Sequence, residues 1–162
     1  MVIPIQKLNE RARLPERGTA YSAGYDLYAD EDLEKVGIFP GGSRKIKTGI
    51  AVAIPEGYFG AIFARSGLAS KQGLRPSNCV GVIDSDYRGE VIVSLHNDSD
   101  QIRYIHDGDR IAQLVVMPYI TAEFMVVSEL DETKRGSGGF GSTGISDAKE
   151  RPELDGQMSF MQ

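Results

Sequence analysis

Turn-forming clusters punctuate this chain, at intervals of about 8–12 residues where they are densest, and that spacing confines it to short strands. The clusters are Pro40-Gly41-Gly42, Pro55-Glu56-Gly57, Asp86-Tyr87-Arg88-Gly89, Asn97-Asp98 and Asp107-Gly108-Asp109. Between them the apolar residues alternate. Ile46, Ile50, Val52 and Ile54 fall on one period-2 face, and Val91, Val93 and Leu95 repeat the pattern. Tyr58 to Phe63, Ile111 to Met117 and Phe124 to Val127 are short apolar runs bounded by turn residues. Many short strands joined by Gly, Pro and Asp turns predict an all-β sandwich, barrel or jelly roll.

One segment departs from this rhythm. Ser66 to Gly73 reads as a two-turn helix, with Ser66 as N-cap and Gly73 as its stop. The end of the chain also changes character. Residues 134–144 read KRGSGGFGSTG, and a polar stretch follows, closing on Met158-Ser159-Phe160-Met161. The expected organisation is a compact body over 1–134, a flexible glycine-rich arm over 135–144 and a polar extension over 145–162.

The chain has 162 residues, enough for one core without covalent staples. Its net charge is −5 and its pI about 5.1, so it exerts no general pull on nucleic acid and must grip any phosphate locally. No apolar run reaches the length of a membrane span. The first residues lack the basic-then-apolar layout of a secretory signal. The single cysteine, Cys79, excludes an internal disulfide, and two histidines, His96 and His106, exclude a histidine-rich metal cage. A cytoplasmic location is expected.

Five segments carry candidate chemistry, and each has an ordinary structural alternative. Arg65-Ser66-Gly67 combines a guanidinium, a hydroxyl and a helix start, which suits an anion; it is equally a cap beside a surface arginine. Residues 78–89, NCVGVIDSDYRG, read as a hairpin with Asp84 half buried after an apolar run. A carboxylate there can take a proton from water, Tyr87 offers a flat face, and the backbone amides can read a base edge. The alternative is a turn aspartate with a packing tyrosine. Gln113 is an amide inside an apolar strand and needs partners, either main chain or phosphate. Residues 135–144 bring Arg135, Phe140, Gly141 and Ser142 into a setting where amides can approach phosphate closely. A plain linker is the other reading, although it has no need of Phe or Arg. Asp26, in Gly24-Tyr25-Asp26-Leu27, is one carboxylate on a strand and by itself makes no metal site.

Taken in order, AGYDL, ARSGLA, GVIDSDYRGEV, GDRIAQLV and RGSGGFGSTG resemble the five motifs of the homotrimeric dUTPases. The resemblance spans Ala23 to Gly144. It implies a jelly-roll-like β-barrel with one short helix, and a homotrimer whose active sites are shared between chains. It implies hydrolysis of dUTP to dUMP and pyrophosphate, with water activated by Asp84 and with Mg²⁺ as cofactor. Arg65, Ser66, Gly67 and Gln113 would hold phosphates. Asn78, Gly81, Val82 and Ile83 would read uracil and deoxyribose, with Tyr87 under the sugar. Phe140 would stack on uracil, Arg135, Gly141 and Ser142 would hold the γ-phosphate, and Asp26 would reach Mg²⁺ through water. Main-chain groups between Gly81 and Tyr87 that pair with O2, N3–H and O4 would reject cytosine and thymine.

Two departures stand out. Ala64 precedes Arg65 where many relatives have proline. The extension 145–162 continues where relatives usually stop, and it is either an unstructured tail or a docking motif for a protein partner. Two rivals are a dCTP deaminase, against which VIDSDYRG argues, and a binding protein that uses the nucleotide as a switch.

Overall fold

The computed structural model of the chain describes residues 1–139. It contains twelve strands and one helix: β1 (Ile5–Lys7), β2 (Glu16–Arg17), β3 (Tyr25–Tyr28), β4 (Lys35–Ile38), β5 (Ser43–Lys47), β6 (Ile50–Val52), β7 (Tyr58–Phe63), α1 (Ser66–Gln72), β8 (Leu74–Pro76), β9 (Gly81–Ile83), β10 (Ile92–Asn97), β11 (Arg103–His106) and β12 (Arg110–Pro118). All five turn clusters of the sequence fall between or at the ends of these strands.

The strands form antiparallel sheets in the orders β2-β3-β12-β7-β9, β5-β10-β8, β11-β4 and β1-β6. The arrangement is all-β and jelly-roll-like, as expected. Among the described residues the sheets do not close into a barrel, because no ladder joins β2 to β9, the edges of the largest sheet. The core follows the alternation read from the sequence. Ile46, Ile50, Val52 and Ile54 are buried, and so is Thr48 between them, its hydroxyl donating to the Val91 carbonyl. Val91, Val93 and Leu95 are buried while Ile92 is exposed. Asn97 is fully buried, and its amide donates to the carbonyls of Ile38 and Gln101, each at 2.8 Å.

Four expectations need correction. The helix starts one residue earlier than its expected cap implies: Arg65 is the N-cap, with extended dihedrals, and Ser66 is the first helical residue, so its side chain is not the cap. Gly73 does end the helix, in a left-handed conformation. Residues 78–89 do not form a hairpin. β9 pairs with β7, whereas β10 pairs with β5 and β8, so the turn between them crosses from one sheet to another. Asp84, one residue past β9, is exposed rather than half buried, because the crossing turn lifts it off the core. Finally, Phe124 to Val127 is not a strand, and Phe124 is 97% exposed. A strand needs a neighbouring edge for its amides and carbonyls, and the described residues supply none to this run.

The chain divides into two compact units, Met1–Ala122 and Glu123–Gln162. The first holds every strand and the helix. In the described part of the second, Arg135 Nε donates to the Gly138 carbonyl at 2.9 Å across a turn at Gly136.

Candidate active site

Register assembles the first recess. Gln113 of β12 stands opposite Asp26 of β3 on one side and Phe63 of β7 on the other. Two residues beyond Phe63 comes Arg65, at the entry to α1. Gln113 Nε2 donates to the Ala64 carbonyl at 2.9 Å and so pins the segment that carries Arg65. Arg65 Nε donates to Asp26 Oδ1 at 2.8 Å, and Arg110 approaches Asp26 Oδ2 at 3.4 Å. These groups, with Ser66 and Gly67, line a recess of about 230 Å³. Gly24 is required on its wall, because a methyl group there would come within 2.5 Å of Gln113 Oε1 and 3.2 Å of its Cβ.

The electrostatics of this recess favour an anion. Two guanidiniums face one carboxylate, and the first amides of α1 have no partner within the helix. Asp26 is 15% exposed and both its oxygens are engaged by arginine, so it serves to hold the guanidiniums in place. Among the described residues no three His, Cys, Asp or Glu side chains stand together as a metal cage.

The second recess, of about 200 Å³, lies along β9 and the turn after it. Asn78, Gly81, Val82, Ile83, Asp84 and Tyr87 all line it, together with Glu90. The turn is tied internally. Tyr87 N–H donates to the Asp84 carbonyl at 3.2 Å, Tyr87 Oη donates to the Glu90 carbonyl at 3.0 Å, and Arg88 donates to the carbonyls of Ser85 and Tyr87 at 2.7 and 2.8 Å. Among the described residues Asp84 has no side-chain hydrogen-bond partner, and it is exposed, so water can reach its carboxylate. A larger recess of about 860 Å³ also borders Asp84, but its charged lining is Glu56, Asp84, Asp86 and Arg88. Three carboxylates against one guanidinium repel a polyphosphate, so the smaller recess around Arg65 is the better anion site.

The predicted residues thus fall into two groups. Asp26, Arg65, Ser66, Gly67 and Gln113 come together, and so do Asn78, Gly81, Val82, Ile83, Asp84 and Tyr87; the two linings share no residue. Arg135 is exposed in the second unit. Phe140, Gly141 and Ser142 lie outside the described residues, as does the extension 145–162. Sequence reading missed Arg110. It precedes Gln113 by three residues, which in a regular strand puts the two on opposite faces. A register shift between Arg110 and Ala112 re-aims it, and such a bulge leaves no mark in the sequence. No helix among the described residues is long and apolar enough to cross a membrane.

The dUTPase family model matches residues 10–144. A deoxyuridine 5'-triphosphate nucleotidohydrolase of Desulfitobacterium hafniense is 53% identical over 135 residues, covering 83% of this chain and 89% of its own. The protein of the same name in Yarrowia lipolytica is 48% identical over 153 residues, covering 93% and 94%. Among solved structures, a mutant dUTPase of Staphylococcus bacteriophage 80alpha with dUpNHpp is similar with a TM-score of 0.80 at 33% identity, covering 89% of this chain and 99% of that one. A mutant dUTPase from phage phi11 of S. aureus, described for its coordination of a structural Mg(II) ion, gives 0.69 at 34% identity, covering 80% and 98%.

Proposed function

The chain belongs to the dUTPase family and hydrolyses dUTP to dUMP and pyrophosphate, and from that premise we propose how its residues divide the work. The triphosphate sits against Arg65, Arg110, Ser66, Gly67 and Gln113. Uracil and deoxyribose enter the recess of Asn78, Gly81, Val82 and Ile83, with Tyr87 against the sugar. The observation that carries this reading is the separation of a cationic recess from a recess bearing an exposed carboxylate and free backbone edges, with no residue common to both. In a homotrimer with shared sites, one nucleotide takes the two kinds of surface from different copies of the chain. Arg135, Phe140, Gly141 and Ser142 of the glycine-rich segment 135–144 complete the site, with arginine and serine on the γ-phosphate and the ring on uracil.

In the reaction, the Asp84 carboxylate accepts a proton from a water molecule whose oxygen attacks the α-phosphorus in line. The bond from the α-phosphorus to the bridging oxygen breaks, and pyrophosphate leaves. A Mg²⁺ ion carried by the substrate would offset its charge, and Asp26, whose oxygens already hold Arg65 and Arg110, would reach it through water. The guanidiniums stabilise charge that spreads over the leaving phosphates, and positioning supplies much of the rate enhancement. Protein partners other than copies of the chain would act through residues 145–162, which lie beyond the family match, and a pull-down with and without that segment tests this role. The setting is cytoplasmic.

The test is pyrophosphate release from dUTP by wild type and Asp84→Asn. The variant keeps dUTP binding and loses turnover by about 10²–10⁴-fold, the usual contribution of a positioned general base. Near-normal turnover overturns the assignment. Parallel assays with dCTP, dTTP and UTP check the base and sugar selection.

A further inference from the structure

The turn that carries Asp84 holds Tyr87 through its chain neighbours Gly89 and Glu90. Tyr87 is 44% exposed. Its hydroxyl donates to the Glu90 carbonyl at 3.0 Å. The ring lies close over Gly89: a methyl group at position 89 would stand 2.6 Å from Tyr87 Cζ and 3.0 Å from Cε2, and would overlap the hydroxyl. Glu90 is itself anchored. Its Oε1 accepts the Gly49 N–H at 2.8 Å, and Gly49 is buried between β5 and β6, where its carbonyl accepts the Leu8 N–H at 2.7 Å. The next residue, Val91, donates to the Ile50 carbonyl at 2.8 Å. The carbonyl that holds the phenol is thus fixed to the frame of the body.

We propose that Gly89 and Glu90 are positioning residues that fix the Tyr87 ring in the nucleoside recess and so set the discrimination against a ribose 2′-hydroxyl. The inference rests on the reading of Tyr87 as the side chain that packs against the sugar. Gly89 supplies the absence of a side chain, which lets the phenol end of the ring lie close against the turn. Glu90 supplies the fixed acceptor. A ring displaced by about an ångström leaves room for one more hydroxyl, and displacements of that size carry large kinetic effects.

Gly89→Ala is a clean probe. Gly89 does not have a positive φ, so alanine brings no backbone strain. The atoms it would overlap belong to a side chain that can swing away, so the ring yields and the fold stays. The readout is the ratio of kcat/KM for dUTP to that for UTP, with the melting temperature measured alongside. Gly89→Ala and Glu90→Ala lower the ratio about tenfold or more, mainly through faster UTP hydrolysis. Glu90→Gln keeps an acceptor for Gly49 and retains the ratio of the wild type. A folded Gly89→Ala with the wild-type ratio overturns the proposal, as does a Glu90→Gln ratio as low as that of Glu90→Ala. Tyr87→Ala separates the two levels of the argument. If it too discriminates like the wild type, the reading of Tyr87 has failed; if it loses discrimination while Gly89→Ala does not, only the positioning role has failed.

Discussion

Gln113 of β12 holds the Ala64 carbonyl through its amide while lying tight against Gly24. The approach of Gln113 to the β3 entry leaves no space for a methyl group. Gly24→Ala therefore pushes the amide off the Ala64 carbonyl and loosens the segment that carries Arg65. The expected result is a rise in KM for dUTP of about tenfold or more with a small change in melting temperature; steady-state kinetics and a thermal melt check both. Asn97 is the structural counterpart. It donates to Ile38 and Gln101, and its Oδ1 accepts the Ser99 N–H at 2.9 Å. Asn97→Ala leaves those groups unpaired in the interior and costs about 2–3 kcal/mol, to be measured by urea unfolding. At this scale the sequence was informative where a polar residue interrupts an apolar pattern, as Gln113 does, whereas Asn97, which reads as part of a turn, is the fully buried last residue of β10. The sequence was silent on Glu90, whose side chain looks like any surface carboxylate until its partner Gly49, 41 residues away, is known.

At the scale of elements, the alternating run from Ile46 to Ile54 divides into β5 and β6 on either side of Thr48-Gly49, and the short apolar runs bounded by turns follow strands more closely. Tyr58 to Phe63 became β7 without adjustment, and Ile111 to Met117 lies inside β12. Pairing was not legible. β9 and β10 are consecutive in sequence yet belong to different sheets, since short-range turn residues say where a strand ends and not which edge it meets. Phe124 to Val127 shows the same limit: an apolar run specifies burial only when an edge is available. The irregularity in β12 is the functional case. It brings Arg110 to the recess of Arg65, so Arg110→Ala is expected to lower kcat/KM for dUTP by about 10–100-fold, as for loss of a charge-assisted phosphate contact. Restoring regular pairing there would turn the guanidinium to the other face. Wild-type kinetics in Arg110→Ala would remove this residue from the site.

At the scale of the whole molecule, the site residues that the sequence singled out in the first unit divide between two recesses with separate linings, one cationic and one bearing Asp84. That division was invisible in the sequence, where the motifs simply follow one another. The proposed sharing of sites between copies would give it a function, and it makes a prediction that no single-chain site shares. Arg65→Ala and Asp84→Asn should each be inactive as pure homotrimers, because every site lacks one half. Mixed by co-expression or by unfolding and refolding together, they form hybrid trimers in which some sites take Arg65 from one copy and Asp84 from another. Turnover of dUTP by the mixture is the measurement that tests this most directly. Recovery of a substantial fraction of wild-type activity is the predicted result, and a mixture as inactive as its two components would contradict a site built between chains.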